Sequence, residues 1–150
     1  MLVGLALAPT FGSPTSASAC GSPALRIANG APATRGLYAV YKGQLVTIDG
    51  TGWESCSQAQ LGGCHRSSGP PPANDVEVMI VRAAPHGPTT PPSRWRPTGR
   101  VAASWSADAD ASYELSLENV SMPDRSGHYV LVASSADDPK PRTFGWITVL

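Results

Sequence analysis

Past residue 20 the apolar positions of the chain recur with a period of two, and no sustained period of 3.6 appears. In LVTIDGTGW (45–53), Val46 and Ile48 point one way while Thr47 and Asp49 point the other, the pattern of a half-buried strand, and Gly50 and Gly52 bend it before Trp53. VEVMIVRA (76–83) places Val76, Val78 and Ile80 on one face and Met79 and Val81 on the other, so both faces are apolar and a central place in a sheet is expected. SYELSLEN (112–119) alternates cleanly, with Tyr113, Leu115 and Leu117 inward and Glu114, Ser116 and Glu118 outward. Further runs at strand spacing are 37–41, 100–106, 128–134 and 144–150, and Leu25 to Ala28 reads as an edge strand ended by the turn pair Asn29-Gly30. Residues 84–99 carry Pro85, Pro88, Pro91, Pro92 and Pro97, which excludes a helix or a central strand and predicts a long exposed connection. The expected fold is therefore all-β, a sandwich of about seven strands.

At 150 residues the chain has room for one ordinary core, and no internal repeat is visible. The first nineteen residues differ from the rest: LVGLALAP is apolar, and small and polar residues lead to Ala17-Ser18-Ala19. That order predicts a secretory signal over 1–19, cut before Cys20, although the usual basic opening is missing. The apolar run is too short to span a bilayer. The expected organisation is a signal peptide at 1–19, a lead or tether at 20–35, and a β-sandwich domain at 36–150. A cysteine at the cut site resembles a bacterial lipobox, with Ala17 where Leu is usual, and two outcomes stand: lipidation of Cys20 as a membrane anchor, or ordinary cleavage leaving a free thiol. The anchor accounts for the odd cysteine count.

Export bears on the other two cysteines. Cys56 and Cys64 are separated by seven residues, and in an oxidising compartment such a pair most often forms a disulfide. Closing the loop would stabilise the fold by roughly 2–3 kcal/mol on the chain-entropy estimate. A zinc site would need about four ligands, and Cys56, Cys64 and His65 supply three, with His86 and His128 isolated. A redox pair would need Cys-x-x-Cys, which is absent.

The stretch Asp124-Arg125-Ser126-Gly127-His128-Tyr129-Val130-Leu131 resembles the corner leading into the sixth strand of immunoglobulin domains, where a Gly-x-Tyr sets a phenol against the preceding turn. The resemblance implies that the Tyr129 hydroxyl bonds back to backbone at that corner. Leu131 stands where antibody domains have cysteine, so the inter-sheet disulfide of that family is not expected. Over about residues 36–150 the pattern is similar to small immunoglobulin-like domains on secreted and lipoprotein chains of Gram-positive bacteria, which implies fold and extracytoplasmic setting, not chemistry. Val46-Thr47-Ile48-Asp49-Gly50-Thr51-Gly52 also resembles a strand of the enediyne-carrying chromoproteins, which hold an apolar ligand in a cleft; those proteins generally have two disulfides, and this chain can form only one internally while Cys20 stays at the terminus.

Charge and motifs narrow the functional classes. Eleven basic residues balance eleven acidic ones with no cationic run, so nucleic acid is an unexpected partner. There is no Gly-x-Ser-x-Gly elbow, no HExxH and no phosphate-cradling glycine loop, so no enzyme and no cofactor is expected. Asp108, Asp110, Ser112 and Glu114 lack the glycine and spacing of a calcium loop and read as a polar hairpin turn. Among the tryptophans, Trp53, Trp105 and Trp146 sit in or beside strands and belong to the core. Trp95, between Arg94 and Arg96 in the proline-rich connection, has two readings: simple packing of the loop, which is favoured, or a candidate binding residue whose flanking cations engage its ring or an anionic surface. The expected function is a secreted or lipid-anchored cell-surface module that binds a protein or glycan partner or serves a structural role, touching the membrane only through the anchor. The alternative is a carrier of a small apolar ligand in a cleft of the sandwich.

Overall fold

The structure, a computed structural model, describes residues 22–55, 71–84, 87 and 89–150. The signal segment, Cys20, the Cys56/Cys64 pair, His65 and His86 lie outside the described residues. The described residues form nine strands in two packed sheets, with no α-helix and one 3-10 turn at Pro92–Arg94. The smaller sheet has the order β1-β4-β7, from Ala24–Ile27, Leu45–Thr51 and Leu115–Ser121. The larger has the order β2-β3-β9-β8-β5-β6, from Ala31–Thr34, Leu37–Val40, Arg142–Val149, Gly127–Ser134, Val76–Ala84 and Arg96–Ala107. Every pairing is antiparallel except β3 with β9, which run parallel with Leu37 beside Trp146 and Val40 beside Val149.

Both β1 and β2 lie before residue 36; β1 is the edge strand read at Leu25 to Ala28, while β2 is a strand the sequence pattern did not mark. Leu25 and Ile27 of β1 are buried against β4, at the edge of the smaller sheet. β2 has no apolar alternation and all four of its residues are exposed; Pro32 is tolerated there because β2 is an edge strand with an irregular register.

The main core lies between the sheets, where Val46 and Ile48 of β4 face Val76, Val78 and Ile80 of β5 and Leu131, Ile147 and Val149 beyond them. β5 is flanked on both sides, by β8 and β6, so the doubly apolar pattern of VEVMIVRA has its physical outlet: its second face, Val81 and Ala83, joins a separate apolar cluster with Val130 and Val132 on the outer side of the larger sheet. β7 departs from the expected alternation. Leu115 and Leu117 pair with Gly50 and Ile48, but Val120 pairs with Val46, so Glu118 and Asn119 share one partner and the inward phase slips. Asn119 takes φ 54° at this bulge. Tyr113, expected inward on the same strand, instead sits in the preceding turn with φ 63°.

That turn is held by a carboxylate. Asp110 Oδ1 accepts from the backbone N–H of Ser112 at 2.8 Å and of Glu114 at 3.0 Å, a local aspartate turn of the kind the sequence suggested. At the other end of the molecule the corner before β8 is tied by Tyr129, whose buried hydroxyl donates to the Arg125 carbonyl at 2.8 Å. Tyr129→Phe should lower stability by about 0.5–1.5 kcal/mol in urea titrations, the worth of one hydrogen bond with the ring packing retained. A change below a few tenths would mean that the corner is held by packing alone.

Candidate functional site

The site forms where three local features of the chain meet at one end of the sandwich. The first is on β5. Its inward phase runs Val76, Val78, Ile80 and then Arg82, so the strand delivers a guanidinium to the inner face just where the core ends. The second is a bulge in β6. Val81 pairs with Val101 and Ala83 with Pro97, so Thr98, Gly99 and Arg100 oppose Arg82 alone. Gly99 turns there with φ 80°, a conformation that costs other residues more than glycine. Thr98 Oγ1 donates to the Arg82 carbonyl at 3.0 Å and accepts from the Arg100 N–H at 3.4 Å, which locks the bulge to β5. The third is the corner Ser121–Arg125, fixed by the Tyr129 hydroxyl.

Between β6 and this corner lies a groove of about 390 Å³ lined by Arg82, Arg100, Arg125, Asp124, Ser121 and Tyr129 among others. Arg82 reaches toward the corner: its Nη2 lies 3.9 Å from where a β-carbon on Gly127 would stand. Asp124 faces the turn after β3, with Oδ1 3.3 Å from a β-carbon position at Gly43. Among the described residues the ion pairs are Arg26 with Asp49 and Arg142 with Asp138, and neither involves the groove. Three arginines and one aspartate thus line the groove, with Arg100 in the bulge that faces Arg82. Like charges sharing one groove repel to a degree set by their separation.

The arginine-flanked tryptophan packs against the sheet. Trp95 is only 6% exposed; it packs on the outer face of the larger sheet against Val81, Ala83, Val130 and Val132. Its indole N–H donates to the Thr90 carbonyl at 3.1 Å, and its ring lies 4.1 Å from that of His128, centre to centre. Arg96 Nη1 donates to the carbonyls of Ser93 and Trp95, both at 3.2 Å. Arg94 closes the 3-10 turn and is exposed. The structure thus gathers backbone around Trp95, the loop packing weighed for it from the sequence, because the outer face of β5 and β8 is apolar and needs a cover. The other tryptophans pack as expected, Trp53 fully buried with its N–H on the Ala24 carbonyl at 3.2 Å, and Trp105 and Trp146 half-buried against the two clusters.

Sequence reasoning missed Arg82, Arg100 and Arg125. One signal was available, since the alternation that places Val76, Val78 and Ile80 inward continues to a charged residue at 82. No such pattern marks Arg100 or Arg125, which enter the groove through a bulge and a corner. Among the described residues no group of three His, Cys, Asp or Glu is placed to hold a metal. In comparisons with known proteins the chain matches no family model and no curated protein.

Proposed function

We propose that the chain is an extracytoplasmic binding module, secreted or lipid-anchored through Cys20, built on an immunoglobulin-like sandwich and acting without catalysis. The observation that carries the binding role is the trio Arg82, Arg100 and Arg125 around one groove with a single carboxylate beside them. An uncompensated cluster of like charge costs stability, whereas Arg26 and Arg142, away from the groove, each face an aspartate.

Support for the immunoglobulin-like assignment comes from order and corner. The sequence β1-β4-β7 corresponds to strands A, B and E, and β9-β8-β5-β6 to G, F, C and C′. Tyr129 opens β8, the F equivalent, and its hydroxyl turns back to the corner. The chain departs from antibody domains in carrying Leu131 at the cysteine position and no tryptophan on β5. The alternative, a carrier of an apolar molecule, is not favoured by this groove: the one aromatic ring in its lining is Tyr129, which is committed to Arg125.

Two measurements on natively produced protein test the assignment. Intact mass should give a chain starting at Cys20, carrying a diacylglyceryl group if anchored, and lighter by the two hydrogens of a Cys56–Cys64 disulfide. Incubated with isolated cell envelopes, the full chain should be retained in a saturable manner. A cytosolic protein with both loop thiols free would overturn the extracytoplasmic part, and no retention by envelopes would overturn the binding part.

A further inference from the structure

We infer that the groove between β6 and the β7–β8 corner binds a phosphate-bearing ligand, held by Arg82, Arg100 and Arg125. This deepens the proposed binding role and rests on it. Hydrogen bonds fix the backbone that carries all three arginines of the lining. The Thr98-Gly99-Arg100 bulge sets Arg100 opposite Arg82, the Thr98 hydroxyl fixes the bulge to the strand that carries Arg82, and the Tyr129 hydroxyl anchors the carbonyl of Arg125 itself. Bulges in edge strands commonly re-aim side chains at binding sites. Without an anion these side chains repel; with one, each contributes a planar fork of donors suited to tetrahedral oxyanions.

The charge count selects the anion. Three guanidiniums against Asp124 leave two positive charges in the groove, which a phosphomonoester of about −1.5 to −2 charge or two consecutive phosphodiesters would neutralise, while one carboxylate would leave the site cationic. The Ser121 hydroxyl in the lining makes only a long bond to the Met122 carbonyl at 3.5 Å, and turning its one proton away would let it donate to a further oxygen of the same ligand. At about 390 Å³ the groove accepts a phosphate together with a small polyol or sugar. It is an open groove at the seam of two sheets, so a polymer can pass along it as readily as a small ester can enter.

The test titrates the full chain with glycerol 3-phosphate, with glycerol as the uncharged control, and follows arginine Nε–H signals by NMR. Saturable shifts confined to the groove arginines are expected, with a Kd between about 10 µM and 1 mM at low salt, weakening as salt rises. Arg100→Gln, on an exposed edge, should weaken binding about ten- to a hundredfold, and Arg82→Gln similarly, while Arg142→Gln, paired with Asp138 elsewhere, should leave it unchanged. A poly(glycerol phosphate) chain in the second arm separates sources: tighter binding per phosphate assigns a polymer, equal or weaker binding a free ester. No saturable shift up to about 20 mM ester or its polymer equivalent, or equal weakening by Arg142→Gln, overturns the inference. If the ligands fail while cell envelopes still retain the chain, the phosphate assignment falls and the binding role remains. Circular dichroism of each variant shows that a loss of binding is not a loss of fold.

Discussion

Replacing Trp95 with alanine should destabilise the fold by about 3–5 kcal/mol, the range for truncating a large buried aromatic. The indole is 6% exposed and covers Val81, Ala83, Val130 and Val132, an apolar strip on the side of the larger sheet that faces away from the main core. Two effects add. The strip returns to water, at roughly 25 cal/mol per Å² of apolar surface, and the segment before Trp95 loses the N–H bond that holds its Thr90 carbonyl. Trp95→Phe separates them, since the ring still covers the strip while the donor goes; it should cost about 1–2 kcal/mol. Urea unfolding followed by circular dichroism gives both values. If Trp95→Ala costs less than about 1 kcal/mol, the segment from Thr89 to Trp95 merely rests on the sheet and the outer cluster contributes little. The result also bears on function. Because the residue is structural, loss of ligand binding in Trp95→Ala reports unfolding, and a binding screen must use the groove arginines instead.

Why the sequence suggests that Trp95 packs but not which surface it covers, while it places Tyr129 at its corner, is a matter of what strand alternation encodes. Gly127-x-Tyr129 carries its own local geometry, and the expected hydroxyl bond to the corner is present at 2.8 Å. The two faces of β5 were equally legible, because Val78 and Met79 sit one residue apart and must point oppositely. Alternation shows that the Val81 side is apolar; it does not show which distant segment covers it. The cover is a proline-rich stretch, polar in composition, that returns across the sheet through one 3-10 turn. The same limit explains β7. A period of two extrapolates correctly through Leu117 and then fails at Asn119, where one extra residue moves Val120 and Met122 into the core. In the groove, Arg82 was open to inference from the phase of β5, but its partners arrive through a bulge with Gly99 at positive φ and through a corner, neither of which has a periodicity to read.

Gly50 carries the second large prediction, because the centre of the smaller sheet has no room for a side chain. In register it lies between Leu25 of β1 and Leu115 of β7, and a β-carbon there would stand 2.8 Å from Leu25 Cδ2, 2.8 Å from Leu115 Cγ and 2.7 Å from Trp53 Nε1. All three side chains belong to the main core, and the indole is further held by its bond to the Ala24 carbonyl. Gly50→Ala gains from lower unfolded-state entropy, about 0.4–1 kcal/mol, but overpacking a filled core costs typically 1–3 kcal/mol. The steric term should win, with a net loss of about 1–2 kcal/mol. Leu115→Ala supplies the decisive comparison. It opens space on one of the crowded sides, so the double variant Gly50→Ala/Leu115→Ala should be less destabilised than the sum of the singles by about 0.5–2 kcal/mol. Additive losses would place the strain at Leu25 or Trp53 instead, and a stabilising Gly50→Ala would show that the three side chains have free rotamers to move into. Trp53 also starts the connection in which Cys56 and Cys64 lie, and it touches Phe144 of β9 with ring centres 5.6 Å apart. The absent side chain at position 50 is therefore what lets the indole tie the root of that connection to both sheets.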